Sequence, residues 1–180
     1  MIHDSLFENT QQLYRKYRTR SPFQLIEEIP DLCLKRSVSF DKDGLKGFST
    51  IMNRVKFVVV NDFLEPEEQR VVAAHELGHI FRHELRLRTC PMRDFDLYNA
   101  TGRLEREANL FAADFLLGDE EVMDQIHSCG ANFFSVAQTL NIPAPFFAFK
   151  LYSMIEHGYA MKLPVDLDSR FLAAGKKRTY

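Results

Sequence analysis

Residues 66–86 read PEEQRVVAAHELGHIFRHELR, and the reading of this stretch decides the fold. Pro66 suits a first helical position, and Glu67 and Glu68 fall near the positive end of the helix dipole. Apolar residues then recur at helical spacing, so the pattern predicts one helix over about 66–86. Inside it stands His75-Glu76-Leu77-Gly78-His79. Positions i and i+4 of a helix are rotated about 40° from one another and lie about 6 Å apart along the axis. Both imidazoles therefore point the same way and can grip one metal ion. Glu76 is rotated about 100° from His75, close to such an ion without being a forced ligand. It can hold a water, accept its proton and later pass that proton to a leaving amine. The bland alternative, two incidental histidines beside a chance glutamate, is opposed by the long apolar-periodic helix in which the motif sits.

Two histidines do not complete a catalytic zinc site, so a third ligand is needed. The position at which a metzincin places its third histidine is Leu85 here, which excludes that arrangement. A second predicted helix, from Gly102 to a C-capping Gly118, contains RLEREANLFAADFLL and offers two glutamates. Glu105 and Asn109 share a face at i, i+4, so Glu105 can bind metal while Asn109 hydrogen-bonds a ligand histidine. Glu107 is rotated about 200° from Glu105, so the two cannot both face the metal. Glu105 is the preferred ligand; Glu107 reads as a solvated residue or a neighbour of Arg103. Ala108, Ala112 and Ala113 are small enough to let this helix approach the first one closely.

Outward from these helices, residues 4–19 predict an amphipathic helix, and Ser21-Pro22 open a short one through about Ile29. Residues 32–38 and 45–60 hold β-branched and aromatic runs broken at Asn53-Arg54, which predicts a small antiparallel sheet with a hairpin. Residues 87–101 read as a connecting loop, and 119–128, 133–140 and 144–157 as short helices. The whole is one α+β domain over 1–180, with an N-terminal helix in 1–20, a helical segment over 130–157 and a poorly patterned tail over 164–180.

Composition narrows the function. The 180 residues carry 23 Lys+Arg against 25 Asp+Glu, a net charge of −2, so nothing draws the chain as a whole to nucleic acid or an anionic membrane. Residues 125–149 lack formal charge, yet Asn132, Gln138, Asn141, Gly130, Pro143 and Pro145 forbid one spanning helix; no membrane partner is expected. Three cysteines, Cys33, Cys90 and Cys129, show no paired spacing, and the first residues have no basic and apolar leader regions. A reducing cytoplasm is therefore expected, with the cysteines as buried small apolar residues and Cys90, in the loop, as the candidate for exposure without a histidine dyad to make it a nucleophile.

Several residues carry two readings. His83, one turn beyond His79, reads as a helix-end residue complementing the dipole, or alternatively as a histidine supporting the site or a substrate. Tyr98 reads as a packed tyrosine, with an oxyanion donor as the minority reading. Arg15, Lys16, Arg18 and Arg20 read as a solvated basic face. Phe111, Phe115, Phe133, Phe134, Phe146, Phe147 and Phe149 read as core. Residues 135–152 have helix-turn-helix spacing, but the second helix offers only Lys150 to a base or phosphate, so it reads as a packing or partner-docking module and no direct nucleic-acid contact is expected.

HELGH over 75–79 with EREANLFAADFLL over 105–117 resembles the ImmA/IrrE family of zinc-dependent peptidases. The resemblance covers about residues 20–157: Gly47 before a hairpin strand ending at Asn61, Arg70 leading into AAHELGH, and SVAQTLNIPAPFFAFKL as the family's short helix-turn-helix-like segment. It implies a zincin-like helical core, a Zn2+ ion on His75, His79 and Glu105, and Glu76 as general base of a metalloendopeptidase. It also implies a cytoplasmic protein, often of phages or mobile elements, that cleaves or inactivates a helix-turn-helix repressor. A non-catalytic repressor-binding regulator with a structural or vestigial zinc site is the alternative.

Overall fold

A computed structural model describes residues 2–41, 44–90, 92–94, 102–130 and 132–162. The first helix, α1 (Ile2–Tyr17), leads into α2 (Pro22–Glu28), where Ser21 caps the helix by accepting from the Gln24 amide. Three strands follow, β1 (Leu32–Ser37), β2 (Gly47–Met52) and β3 (Val55–Asn61). Then come α3 (Pro66–Arg82), the single turn α4 (Glu84–Leu87), a short β4 (Met92–Asp94) and α5 (Arg103–Leu116). Helices α6 (Asp119–Ser128), α7 (Phe133–Thr139) and α8 (Ala144–Glu156) complete the described chain.

The α+β class holds, with two differences from expectation in the sheet. Its order is β1-β3-β2-β4, and it is mixed: β2 pairs antiparallel with β3 and β4, whereas β1 pairs parallel with β3. The β2–β3 hairpin turns on Asn53 and Arg54, both at positive φ (51° and 70°), the backbone a two-residue hairpin turn needs. Having left β1, the chain crosses to the far side of β3 before forming β2, and this crossover is what makes the β1–β3 pair parallel. The second difference is β4, which lies in the expected loop 87–101 and extends the sheet at the β2 edge.

The predicted single helix over 66–86 is two helices. His83 leaves helical geometry (φ −122°, ψ 26°) and closes α3, its amide donating to the His79 carbonyl at 2.8 Å. Helix α3 is the centre of the fold, packed on α5 along one side and on β2 and β3 along the other. Its start is tied to the end of β3 by buried polar groups. The Gln69 side-chain amide donates to the Asp62 and Leu64 carbonyls, and that of Asn61 to the Asp41 and Leu45 carbonyls.

Phe111, Phe115, Phe146, Phe147, Phe149 and Phe133 are buried as expected, but Phe134 is not, at 71% exposed. Cys33 and Cys129 are only half-buried, short of the burial expected of them, and Cys90, the candidate for exposure, is exposed. Arg15, Lys16 and Arg18 are solvated, whereas Arg20 is not part of that face. Its guanidinium donates to the Asp114 and Phe115 carbonyls at 3.0 Å each and so closes the C-terminal end of α5. Tyr98 and the tail from 164 lie outside the described residues.

Lys150, the one cation α8 could have offered to a polyanion, is fully buried. Its ammonium lies 2.9 Å from Asp114 Oδ1 on α5 and 2.5 Å from Asp119 Oδ1 on α6, and the Ser153 hydroxyl adds a bond to Asp114. The segment that resembles a helix-turn-helix is thereby fastened to α5 from inside. Removing one member of a buried ion pair strands the other, so Lys150→Met is expected to destabilise the fold by about 3–5 kcal/mol. Arg15→Ala, on the solvated face of α1, should stay within about 0.5 kcal/mol of the parent. Urea denaturation of the two variants checks this.

Candidate metal centre

The site is built where α3 and α5 nearly touch. A Cβ added at Gly78 would lie 2.9 Å from Ala108 Cα and 3.0 Å from its carbonyl oxygen, both backbone atoms that cannot yield. A residue without a side chain at this crossing brings the two backbones together and carries Glu105, one turn before the contact, over the HExxH face. On the opposite side, α3 meets β2 as tightly. A Cβ at Gly47 would lie 2.5 Å from Val72 Cγ1, 2.8 Å from the Val59 carbonyl oxygen and 3.2 Å from Glu76 Oε1. The Glu76 carboxylate thus lies between α3 and β2, fully buried, beside the histidine pair.

His75 and His79 are also fully buried. Their Nε2 atoms are 3.0 Å apart, and Glu105 Oε2 stands 3.3 Å from the first and 3.5 Å from the second. A tetrahedral ion with bonds of about 2.0–2.1 Å has ligand–ligand edges of about 3.3 Å, so the three atoms stand as three corners of such a site. The far side of each ring supports this. His75 Nδ1 lies 2.8 Å from Asn109 Oδ1, an acceptor, so it carries the hydrogen and Nε2 keeps its lone pair. His79 Nδ1 lies 3.0 Å from His83 Nδ1. Two nitrogens and one carboxylate oxygen, with the fourth corner left to another ligand, form a donor set that suits zinc. Among the described residues, His75, His79 and Glu105 are the group of such side chains close enough to share an ion.

The charges agree with the geometry. Burial works against the Glu105 carboxylate, but the closeness of the His75 and His79 rings outweighs it and holds its carboxyl far below the ordinary range. Burial likewise opposes ionisation of Glu107, and the Arg103 and His83 hydrogen bonds reverse the balance. His83 is held below the ordinary imidazole value by burial, against the opposing hydrogen bond to Glu107.

Of the four sequence-selected residues, His75, His79 and Glu105 bring their ligand atoms together, and Glu76 lies buried on the same helix as the histidines with its carboxylate against β2. Glu107 points away from the triad, as its rotation on the helix requires, and pairs with Arg103 at 2.7 Å. The sequence reading missed its second partner: Glu107 Oε2 is 3.2 Å from His83 Nε2. It also favoured His83 as a helix-end residue. His83 does close α3, but its ring is buried against His79 instead of facing solvent at the helix end. The i, i+4 spacings of His79 with His83 and of Arg103 with Glu107 were the available signal.

Residues 32–152 match the peptidase M78 family, described as an IrrE N-terminal-like domain, and the chain belongs to that family. This is a metallopeptidase family, which implies a metal ion. Over 109 residues the chain is 33% identical to "Uncharacterized immunity region protein 2" of Bacillus phage phi105, an alignment covering 61% of this chain. It spans 66% of that relative's length. No solved structure matches the chain at a significant level.

The α3–α5 contact makes a prediction. Alanine is ordinarily the better helix former by about 1 kcal/mol. Gly78→Ala should nevertheless lose about 1–3 kcal/mol through overpacking against the Ala108 backbone. A lowered midpoint in urea is the expected result; a raised one would mean that the helices separate at no cost.

Proposed function

We propose that this protein is a zinc-dependent endopeptidase that cleaves, and so inactivates, a helix-turn-helix repressor in the cytoplasm, in a phage or mobile-element switch. The observation that carries the reading is the convergence of His75 Nε2, His79 Nε2 and Glu105 Oε2, with Nδ1 of both rings engaged elsewhere. Membership of a metallopeptidase family supports the reaction class. The relative's place in a phage immunity region supports a repressor as the substrate, since immunity regions govern repression.

In this mechanism His75, His79 and Glu105 would hold the ion. Bound zinc supplies Lewis acidity toward a carbonyl oxygen and makes water easier to deprotonate at neutral pH. Glu76 takes the proton of the attacking water and delivers it to the departing amide nitrogen. Its buried position between α3 and β2 keeps the carboxylate away from bulk water. Asn109 holds the His75 ring in the tautomer that leaves Nε2 free.

The test combines metal content with turnover. Purified wild-type protein is expected to hold one zinc per chain by elemental analysis, and His75→Ala and Glu105→Ala to lose it. Glu76→Gln should keep the zinc and lose about 10²–10⁴-fold in repressor cleavage, the usual contribution of a general base. If Glu76→Gln still relieves repression in cells as well as the wild type does, the protein acts by binding instead of cutting.

A further inference from the structure

The residue that closes α3, His83, is a third histidine and lies against His79, and α5 supplies it with a partner. His83 is 7% exposed; its ring centroid lies 5.2 Å from that of His79, and the two Nδ1 atoms are 3.0 Å apart. On its other side, His83 Nε2 lies 3.2 Å from Glu107 Oε2, and Glu107 Oε1 accepts from Arg103 Nε at 2.7 Å. A hydrogen bond between two ring nitrogens needs the hydrogen on one and the lone pair on the other. Only one polarity satisfies every group in this row.

An ionised carboxylate accepts and cannot donate, so Glu107 requires the hydrogen on His83 Nε2. A neutral His83 then has its lone pair on Nδ1, and the facing nitrogen of His79 must be N–H. His79 is left with its lone pair on Nε2, directed toward His75 Nε2 and Glu105. The opposite polarity would put the hydrogen on His79 Nε2, where it blocks ligation, and would set two acceptors against each other at Glu107. His75 Nδ1 meets the amide oxygen of Asn109, whereas His79 Nδ1 meets a row that ends in a carboxylate and an arginine.

The geometry points to His83 as a positioning residue: with Glu107 behind it, it fixes the tautomer and ring orientation of His79 and so sets the metal affinity of the site. This rests on the zinc reading proposed above. It gives Glu107, which cannot reach the triad, an effect on the metal through two hydrogen bonds.

The experiment measures zinc affinity by competition with a chromophoric chelator, together with the visible d–d spectrum of the cobalt(II)-loaded protein. The chains compared are the wild type, His83→Phe, His83→Asn and Glu107→Ala. His83→Phe keeps a ring and removes the acceptor; it should weaken zinc binding by about 10–100-fold and alter the cobalt spectrum. Glu107→Ala should change both in the same sense and by less. His83→Asn places an amide oxygen near the lost Nδ1, as Asn109 does for His75, and should recover most of the affinity. Were His83 only the end of a helix, affinity would be unmoved once apo stability in urea is taken into account, and asparagine would rescue nothing.

Wild-type affinity in His83→Phe overturns the inference and leaves the metal centre standing. Failure of the folded wild type to bind zinc or cobalt overturns the metal centre itself and the inference with it.

Discussion

Near-contact between the backbones of α3 and α5 is the constraint on which the site depends. At Gly78 and Ala108 no side chain separates the two helices, and the distance between their faces is set by main-chain atoms. Residues from one helix therefore reach functional groups on the other without long excursions. Glu105 meets both histidines, Asn109 meets His75 and Glu107 meets His83, all from α5 across to α3. Short, well-packed side chains on rigid elements hold ligand geometry more tightly than loops do. The close approach at one glycine thus underlies four cross-helix contacts.

That contact would be of little use if α5 could slide, and the polar interior prevents it. The last carbonyls of α5 are taken by two arginines: Arg20, from the connection between α1 and α2, at Asp114 and Phe115, and Arg70 of α3 at Leu116. Asp114 then binds Lys150 and Ser153 of α8. Burying charge is costly and is tolerated only where every partner is present, which makes such a cluster a specific lock as well as a contribution to stability. The helix that presents Glu105 is thus fixed at its far end by ionic and hydrogen-bonded partners and at its near end by backbone packing.

Much of this was legible in the sequence, because the features concerned are local and periodic. HExxH on an apolar-periodic helix and Glu105 with Asn109 at i, i+4 are matters of helical angle alone, and the small residues of α5 announce a close crossing. What could not be read is non-local. The parallel β1–β3 pair depends on which side of β3 the chain chooses after β1, and no residue in 38–46 records that choice. Arg20 sits in a run of basic residues that looks uniformly solvated, yet its position after the turn at Arg18 aims it at α5. His83 was ambiguous for a simpler reason. A helix-closing histidine and one that packs against a neighbouring ring occupy the same position, and this residue both closes α3 and sets its ring against His79. Phe134 shows the converse, an aromatic at helical spacing on a helix too short to cover all its faces.

The donors of the triad are unevenly distributed along the chain, and this has a consequence for folding. Two of them lie in consecutive turns of one helix; the third follows only after the chain has passed through α4 and β4 and turned into α5. An ion held by all three would be a cross-link that closes the chain between His79 and Glu105 into a ring, restricting the unfolded ensemble much as a covalent bridge would. It would also favour the native state by mass action, as any ligand selective for that state does. Opening of the segment between α3 and α5 would then require an ion–ligand bond to break first, so the affinity of the centre and the resistance of this part of the chain to local unfolding would rise and fall together.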